Sequence, residues 1–79
     1  MFTVYAISGD SGKYIYVGVT NDLQTCLEQH QSGKNKITSA YLPVFLFYSA
    51  TFHTKEEARE RERFLKSSLG KEYLEGKLT

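Results

Sequence analysis

The chain has 79 residues, of which 41% are hydrophobic and 24% charged, and its net charge is +1. This length predicts a single domain over residues 1–79, near the lower limit for a core that folds without disulfides. A single cysteine excludes an internal disulfide, and no signal-peptide pattern precedes the first predicted strand, so we expect a reducing, cytoplasmic setting. No apolar run reaches the roughly 20 residues of a membrane span. The near-neutral charge only weakly supports DNA as a partner, because nucleic-acid binding usually requires a basic excess.

The N-terminal third has the pattern of a β-hairpin. Residues 2–8 and 13–19 are rich in β-branched and aromatic types, and Gly-Asp-Ser-Gly at 9–12 supplies a turn between them. Alternation along the second segment puts Tyr16 and Gly18 on one face of the strand. We therefore expect two antiparallel strands, with tyrosines available on one side.

A helix is predicted directly after the hairpin. Asn21 and Gln24 have the spacing of a capping box, and Gly33 is a stop signal. Four residues between them follow the i, i+3, i+4, i+7 spacing of a buried helical stripe: Leu23, Cys26, Leu27 and His30.

The second half predicts one strand and one or two helices. Residues 44–52 are nearly continuously apolar, as expected if both faces of a third strand are covered. Thr54 and Glu57 form a second capping box, which predicts a helix to about Ser68. We expect Gly70 to break this helix and a short third helix to follow. The order ββαβαα indicates an α+β domain: a small antiparallel three-stranded sheet flanked by two or three helices.

The order of these segments resembles the GIY-YIG nuclease family. The resemblance rests on the two tyrosine strands at 4–6 and 16–18, the helix that follows from 21 to 30, and the charged helix at 54–66 with Gly-Lys-Glu-Tyr-Leu at 70–74. It covers the chain from about Val4 to Leu74. The chain is most similar to small single-domain members and to the N-terminal domain of excision-repair nucleases.

The resemblance implies metal-dependent phosphodiester hydrolysis in DNA, of the kind used in DNA repair. Glu62 matches the carboxylate that binds Mg²⁺ or Mn²⁺, which suits a hard oxygen ligand. Tyr5 and Tyr16 match the tyrosines that orient or deprotonate the attacking water. His30 matches a histidine that relays a proton.

Each of these residues also has an ordinary structural interpretation. Tyr5 and Tyr16 are typical core aromatics, and His30 at the end of a helical stripe is typical of a satisfied structural histidine. Glu62 lies among charged neighbours and is spaced to pair with Lys66 at i+4. Only the joint arrangement favours a catalytic site.

The chain departs from the family at the position of the catalytic arginine. Cys26 occupies that position, and a thiol cannot make the bidentate phosphate contacts of a guanidinium. By analogy with lost oxyanion-hole donors, the cost is roughly 10²–10³ in rate. Three arginines near Glu62 on the same predicted helix could supply the missing charge: Arg59, which is three residues before Glu62, Arg61 and Arg63. Cys26 and His30 at i, i+4 could instead form a thiolate or metal pair, although two ligands do not make a zinc site.

A second departure lies around the start of the third strand. Tyr41 and Leu42 stand where small relatives often have an arginine pair, and Phe45 replaces a frequent lysine. We expect these residues, with Val44 and Tyr48 nearby, to form an apolar surface that binds a protein partner or a second copy of the chain. Larger family members also carry a late asparagine, whereas no asparagine follows Asn35 here.

Two functions therefore follow from the sequence. The first is a GIY-YIG-type DNA endonuclease with impaired catalysis. The alternative is a catalytically silent module that binds DNA or, through the surface formed by Tyr41, Leu42 and Phe45, a protein.

Overall fold

The computed structural model describes residues 1–9, 14–34 and 43–78. Its elements are β1 (Phe2–Gly9), β2 (Ile15–Thr20), α1 (Leu23–Gln31), β3 (Val44–Phe52), α2 (Lys55–Lys66) and α3 (Ser68–Leu78). The three strands form one antiparallel sheet in the order β2-β1-β3. The predicted α+β fold with the order ββαβαα is confirmed.

The central strand of the sheet is β1, which pairs with both other strands and is buried from Val4 onward. The expectation that both faces of the third strand are covered is wrong. β3 is at the edge of the sheet, and Phe45 and Leu46 near its start are exposed. A long apolar run does not by itself distinguish a central strand from an edge strand, because both kinds tolerate such residues.

Helices cover the two faces of the sheet unequally. On one face, α2 and α3 bury a cluster with the first two strands: Val4, Ala6, Val17, Ala58, Leu65 and Leu74. On the other face, α1 packs its apolar stripe on Tyr5, Ile7 and Val44. Gln31, the last residue of α1, bonds through its side-chain amide to both backbone groups of Val44, which fixes this helix to the start of β3.

The cap of α1 differs from the prediction by one residue. Asp22, not Asn21, is the N-cap, and its carboxylate accepts from the backbone N–H of Thr25 at 3.2 Å. Thr20 Oγ1 accepts from the Asp22 N–H and turns the chain just before the helix. At the start of α2, Thr54 is the N-cap as predicted and accepts from the Glu57 N–H, and the Glu57 carboxylate accepts from the Thr54 hydroxyl.

Gly70 does not break a helix as predicted; it lies inside α3, which begins at Ser68. A Cβ at position 70 would stand 1.9 Å from the Phe64 carbonyl oxygen. The missing side chain therefore lets α3 approach the end of α2. None of the helices in the described part of the chain is long and apolar enough to span a membrane.

Candidate active site

The Tyr5 hydroxyl is the centre of a buried polar cluster. Tyr5 is only 3% exposed, and its Oη lies 3.0 Å from the Cys26 Sγ and 3.0 Å from the His30 Nε2. The backbone brings these groups together because Cys26 and His30 are one helical turn apart on the stripe of α1 that faces β1. Gly18 lies opposite Tyr5 on β2, where a side chain would collide with the phenol.

The hydrogen bonds within this cluster allow one arrangement of donors that ends at His30. The Cys26 thiol donates to Tyr5 Oη, and in the tautomer with His30 Nε2 unprotonated the phenol donates to that nitrogen. Burial raises the pKa of Tyr5 far above its ordinary value. Burial also lowers the pKa of His30, so neutral imidazole is favoured near pH 7. Tyr5 is therefore held as a neutral phenol and His30 as a weak base.

Tyr16 lies between this buried cluster and solvent. Its ring is half-buried, and its centroid is 6.2 Å from that of Tyr5 and 5.1 Å from that of His30. The three rings meet at tilted or edge-on angles, which are favourable geometries for packed aromatic groups. Tyr16 thus continues the cluster toward the outer edge of β2.

A cleft with a volume of about 520 Å³ opens at that edge, between β2 and α2. Tyr5, Tyr16 and Glu62 all line it, so three of the four predicted catalytic residues share one cleft. His30, 2% exposed, does not line the cleft; it lies behind Tyr5 and Tyr16, bonded to the Tyr5 hydroxyl and in contact with the Tyr16 ring. Glu62 also makes the predicted ion pair with Lys66, at 3.2 Å. Because both side chains are partly exposed, this pair contributes little to stability and does not lock the carboxylate.

The remaining charged residues of the cleft are basic: Lys55, Arg59 and Lys66. The sequence identifies Arg59 as a candidate source of charge and Lys66 as a partner of Glu62, but it does not place either lysine in a shared cleft. A signal for this arrangement exists, because Lys55, Arg59, Glu62 and Lys66 follow the i, i+4, i+7, i+11 spacing of one helical face. That stripe became informative only once α2 was known to pack along β2.

Glu62 is the single carboxylate among the described residues that line the cleft. No group of three or more His, Cys, Asp and Glu side chains within the described ranges is arranged to hold a metal ion. One carboxylate and open space for water fit Mg²⁺ or Mn²⁺, since Mg²⁺ commonly keeps several waters in protein sites. The alternative metal pair of Cys26 and His30 does not fit, because both groups bond to the Tyr5 hydroxyl.

Part of the predicted apolar surface lies outside the described residues, namely Tyr41 and Leu42. Phe45 is 53% exposed, as expected for an interface residue. Val44 was expected to reach solvent but is buried beneath α1, because alternate residues of a strand point to opposite faces. Tyr48 is half-buried and packs on the face covered by α2 and α3.

A three-stranded sheet with tyrosines from both hairpin strands and a helical carboxylate on one cleft defines a nuclease-like α+β domain. The GIY-YIG catalytic domain family matches residues 1–75, so the chain belongs to the GIY-YIG family.

Several curated relatives carry the name UPF0213 protein. The chain is 44% identical over 64 residues to the protein of Streptococcus pneumoniae serotype 4, a match that covers 80% of this chain and 64% of the relative. It is 51% identical over 49 residues to the protein of Bacillus pumilus, with 61% and 50% coverage. With the protein of Vibrio campbellii the identity is 38% over 66 residues, with 82% and 62% coverage. The chain thus spans half to two thirds of the length of these relatives. No solved structure matches it significantly.

Proposed function

We propose that this domain is a metal-dependent DNA endonuclease with reduced catalytic efficiency, acting on branched or nicked DNA of the kind that arises in repair. The observation that supports this most directly is the cleft shared by Tyr5, Tyr16 and Glu62. It brings hydroxyl groups suited to orienting a water close to a carboxylate suited to a divalent cation.

Glu62 would hold Mg²⁺ or Mn²⁺ in this cleft. When bound, such an ion polarises a phosphoryl oxygen and stabilises the charge that develops during hydrolysis. No carboxylate other than Glu62 is needed for this role. Tyr16, which is half-buried between the Tyr5 cluster and solvent, orients the attacking water.

Tyr5 and His30 supply the path for the proton of that water. Tyr5 Oη accepts this proton and donates its own to His30 Nε2, so the net result is hydroxide at the phosphorus and an imidazolium at His30. Burial opposes this charge, as the lowered pKa of His30 indicates. A weak base of this kind, together with the thiol at position 26, explains why we propose slow cleavage.

Cleavage of a labelled three-way junction or nicked duplex, with Mn²⁺ and with EDTA, tests the proposal. We expect Mn²⁺-dependent cleavage by the unmodified protein and its loss in Glu62→Gln. Glu60→Gln is the matched control, because Glu60 lies on the same helix but lines a different depression, with Phe52 and Phe64. Equal activity of the two variants would contradict the role of Glu62. Crystals soaked in Mn²⁺ should show the ion at Glu62 and nowhere near Cys26.

A second candidate is a DNA-binding module that does not cleave. One observation favours it: the Tyr5 hydroxyl is buried and already bonded to both Cys26 and His30, which restricts its access to a water. DNA binding without cleavage at any Mn²⁺ concentration would establish this function in place of the first.

A further inference from the structure

The cleft at Glu62 is one half of a longer groove along the outer edge of β2. A second depression of about 460 Å³ adjoins it, and both are lined by Tyr16, Val17 and Lys66. The second depression is also lined by Lys71 of α3. We call the combined feature the basic groove. Its charged residues in the described part of the chain are Lys55, Arg59, Glu62, Lys66 and Lys71.

The charge of this groove differs from that of the chain as a whole. Four cations and one carboxylate line it, although the chain carries a net charge of only +1. The rest of the molecule is therefore net negative. Positive charge concentrated in a groove binds and orients polyanions even when the overall composition is neutral.

The dimensions of the groove suit a strand of nucleic acid. From Lys55 to Lys66, α2 rises by about 16 Å. One strand of B-DNA carries a phosphate roughly every 3.4 Å along its axis, so this length corresponds to about four or five phosphates. The groove thus extends on both sides of Glu62, as required for a strand whose cleaved bond lies in the middle.

Arg59 is the residue of the groove best suited to the phosphate next to Glu62. It precedes Glu62 by three residues on α2, a spacing that brings the two Cβ atoms within about 5–6 Å. Within the described ranges Arg59 makes no ion pair, whereas Arg61 points elsewhere and lies over the Phe64 ring at 5.7 Å. A guanidinium at this position offers the bidentate phosphate contact that Cys26 cannot provide.

We propose that the basic groove binds the phosphodiester backbone of one DNA strand, and that Arg59 contacts the phosphate beside Glu62 in place of an arginine on α1. This inference rests on the proposed function in taking DNA as the ligand. It assigns the contact to α2, which lines the cleft, and not to α1, which carries Cys26.

Fluorescence anisotropy of a labelled nicked duplex in EDTA measures binding without cleavage. We expect Arg59→Ala to raise the Kd by about 3–10-fold and to reduce the slope of log K against log salt by about one. Lys71→Ala should have a similar effect on binding. Arg61→Ala is the matched control, with the same charge on the same helix, and should change the Kd by less than twofold. Circular dichroism verifies that each variant keeps the fold; Arg59 and Lys71 are exposed, and Arg61 is half-buried.

Substitution of Glu62 should change DNA affinity in the opposite direction to substitution of Arg59. Because its carboxylate repels a neighbouring phosphate in the absence of a cation, Glu62→Gln should bind DNA more tightly than the unmodified protein in EDTA. Addition of Ca²⁺ should remove this advantage. Unchanged or weaker binding by Glu62→Gln in EDTA would overturn the location of the DNA.

These measurements separate the inference from the proposed function. If Arg59→Ala binds DNA more weakly than Arg61→Ala but the unmodified protein does not cleave, DNA binding by the basic groove is supported and the endonuclease function is refuted. If the unmodified protein cleaves but the two variants bind DNA equally well, the endonuclease function is supported and the role of Arg59 is refuted. Failure of the unmodified protein to bind DNA at low salt would overturn the inference.

Discussion

Gly18 lies directly opposite Tyr5 in the antiparallel pair of β1 and β2, and the Tyr5 phenol covers it. A Cβ at position 18 would stand 2.7 Å from Tyr5 Oη, the atom that also contacts Cys26 and His30. The glycine therefore supports the site through the position of Tyr5. It makes room for the hydroxyl that joins the two α1 side chains to the cleft.

Gly18→Ala should displace the Tyr5 hydroxyl. We expect a loss of about 1–3 kcal/mol in the free energy of unfolding, because the added methyl overpacks a buried position. Cleavage should fall with it if the proton path runs through Tyr5. Gly76→Ala is the control, since nothing lies within 4 Å of a Cβ there and an alanine in a helix is favoured by about 0.5–1 kcal/mol. Urea unfolding measures the stability of both variants. Equal free energies of unfolding would contradict the close contact between position 18 and Tyr5 Oη.

The buried His30 should make stability depend on pH. Burial lowers its pKa, so below about pH 6.5 the unfolded chain binds more protons than the folded one. The free energy of unfolding should therefore decrease as the pH falls from 7.5 to 5.5. His30→Gln should flatten this dependence, whereas His53→Gln, which changes an exposed histidine, should preserve it. Urea denaturation at several pH values decides, and an unchanged slope in His30→Gln would show that another group is responsible.

An arginine introduced at position 26 should supply on α1 the guanidinium that the family resemblance implies at this position. By the magnitude of lost oxyanion donors, Cys26→Arg should raise cleavage by about 10²-fold in an Arg59→Ala background. The gain in the unmodified background should be smaller, because the two arginines would serve the same phosphate. Cys26→Ser keeps a donor beside Tyr5 and is the control for the altered hydrogen bond. Equal gains in both backgrounds would mean that Arg59 and position 26 act independently.

Self-association through the apolar surface of Tyr41, Leu42 and Phe45 remains a prediction. Of these three residues, Phe45 is the one that the structure describes. If this surface joins two copies of the chain, sedimentation velocity at tens of micromolar should show a dimer. Phe45→Lys should shift it to the monomer. Phe64→Lys replaces another exposed phenylalanine, on α2, and should leave the dimer intact. A monomer at all concentrations would contradict this use of the surface.

The sequence predicted those features that depend on neighbouring residues. The N-cap at Thr54 is such a case, since the side chain and the N–H that it accepts from are three residues apart. Asn21 and Asp22 are chemically similar caps, and only the bond of Thr20 to the Asp22 N–H selects the second. Gly70 was misinterpreted because its role lies in the approach of α3 to Phe64, which no local pattern reveals.

The candidate site likewise has a part that the sequence predicted and a part that only the packing of the helices reveals. Tyr5, Tyr16 and Glu62 were predicted from a resemblance in the order of segments, and they do share a cleft. The basic groove was not predicted, because it needs α2 to pack against β2, with Lys71 added from α3. The burial of Val44 beside the exposure of Phe45 likewise follows from strand alternation at an edge of the sheet.

The position of Tyr5 on the central strand has a consequence for how the cleft meets its ligand. β1 is hydrogen-bonded on both sides and buried on both faces, so its amides should exchange with solvent only when the whole domain unfolds. Arg59 and Glu62 project instead from the surface of α2, where long side chains change rotamer rapidly. The cleft thus has one fixed wall and one adjustable wall. Adaptation to nicks, branches or other distorted backbones would come from α2, while Tyr5 keeps a constant position.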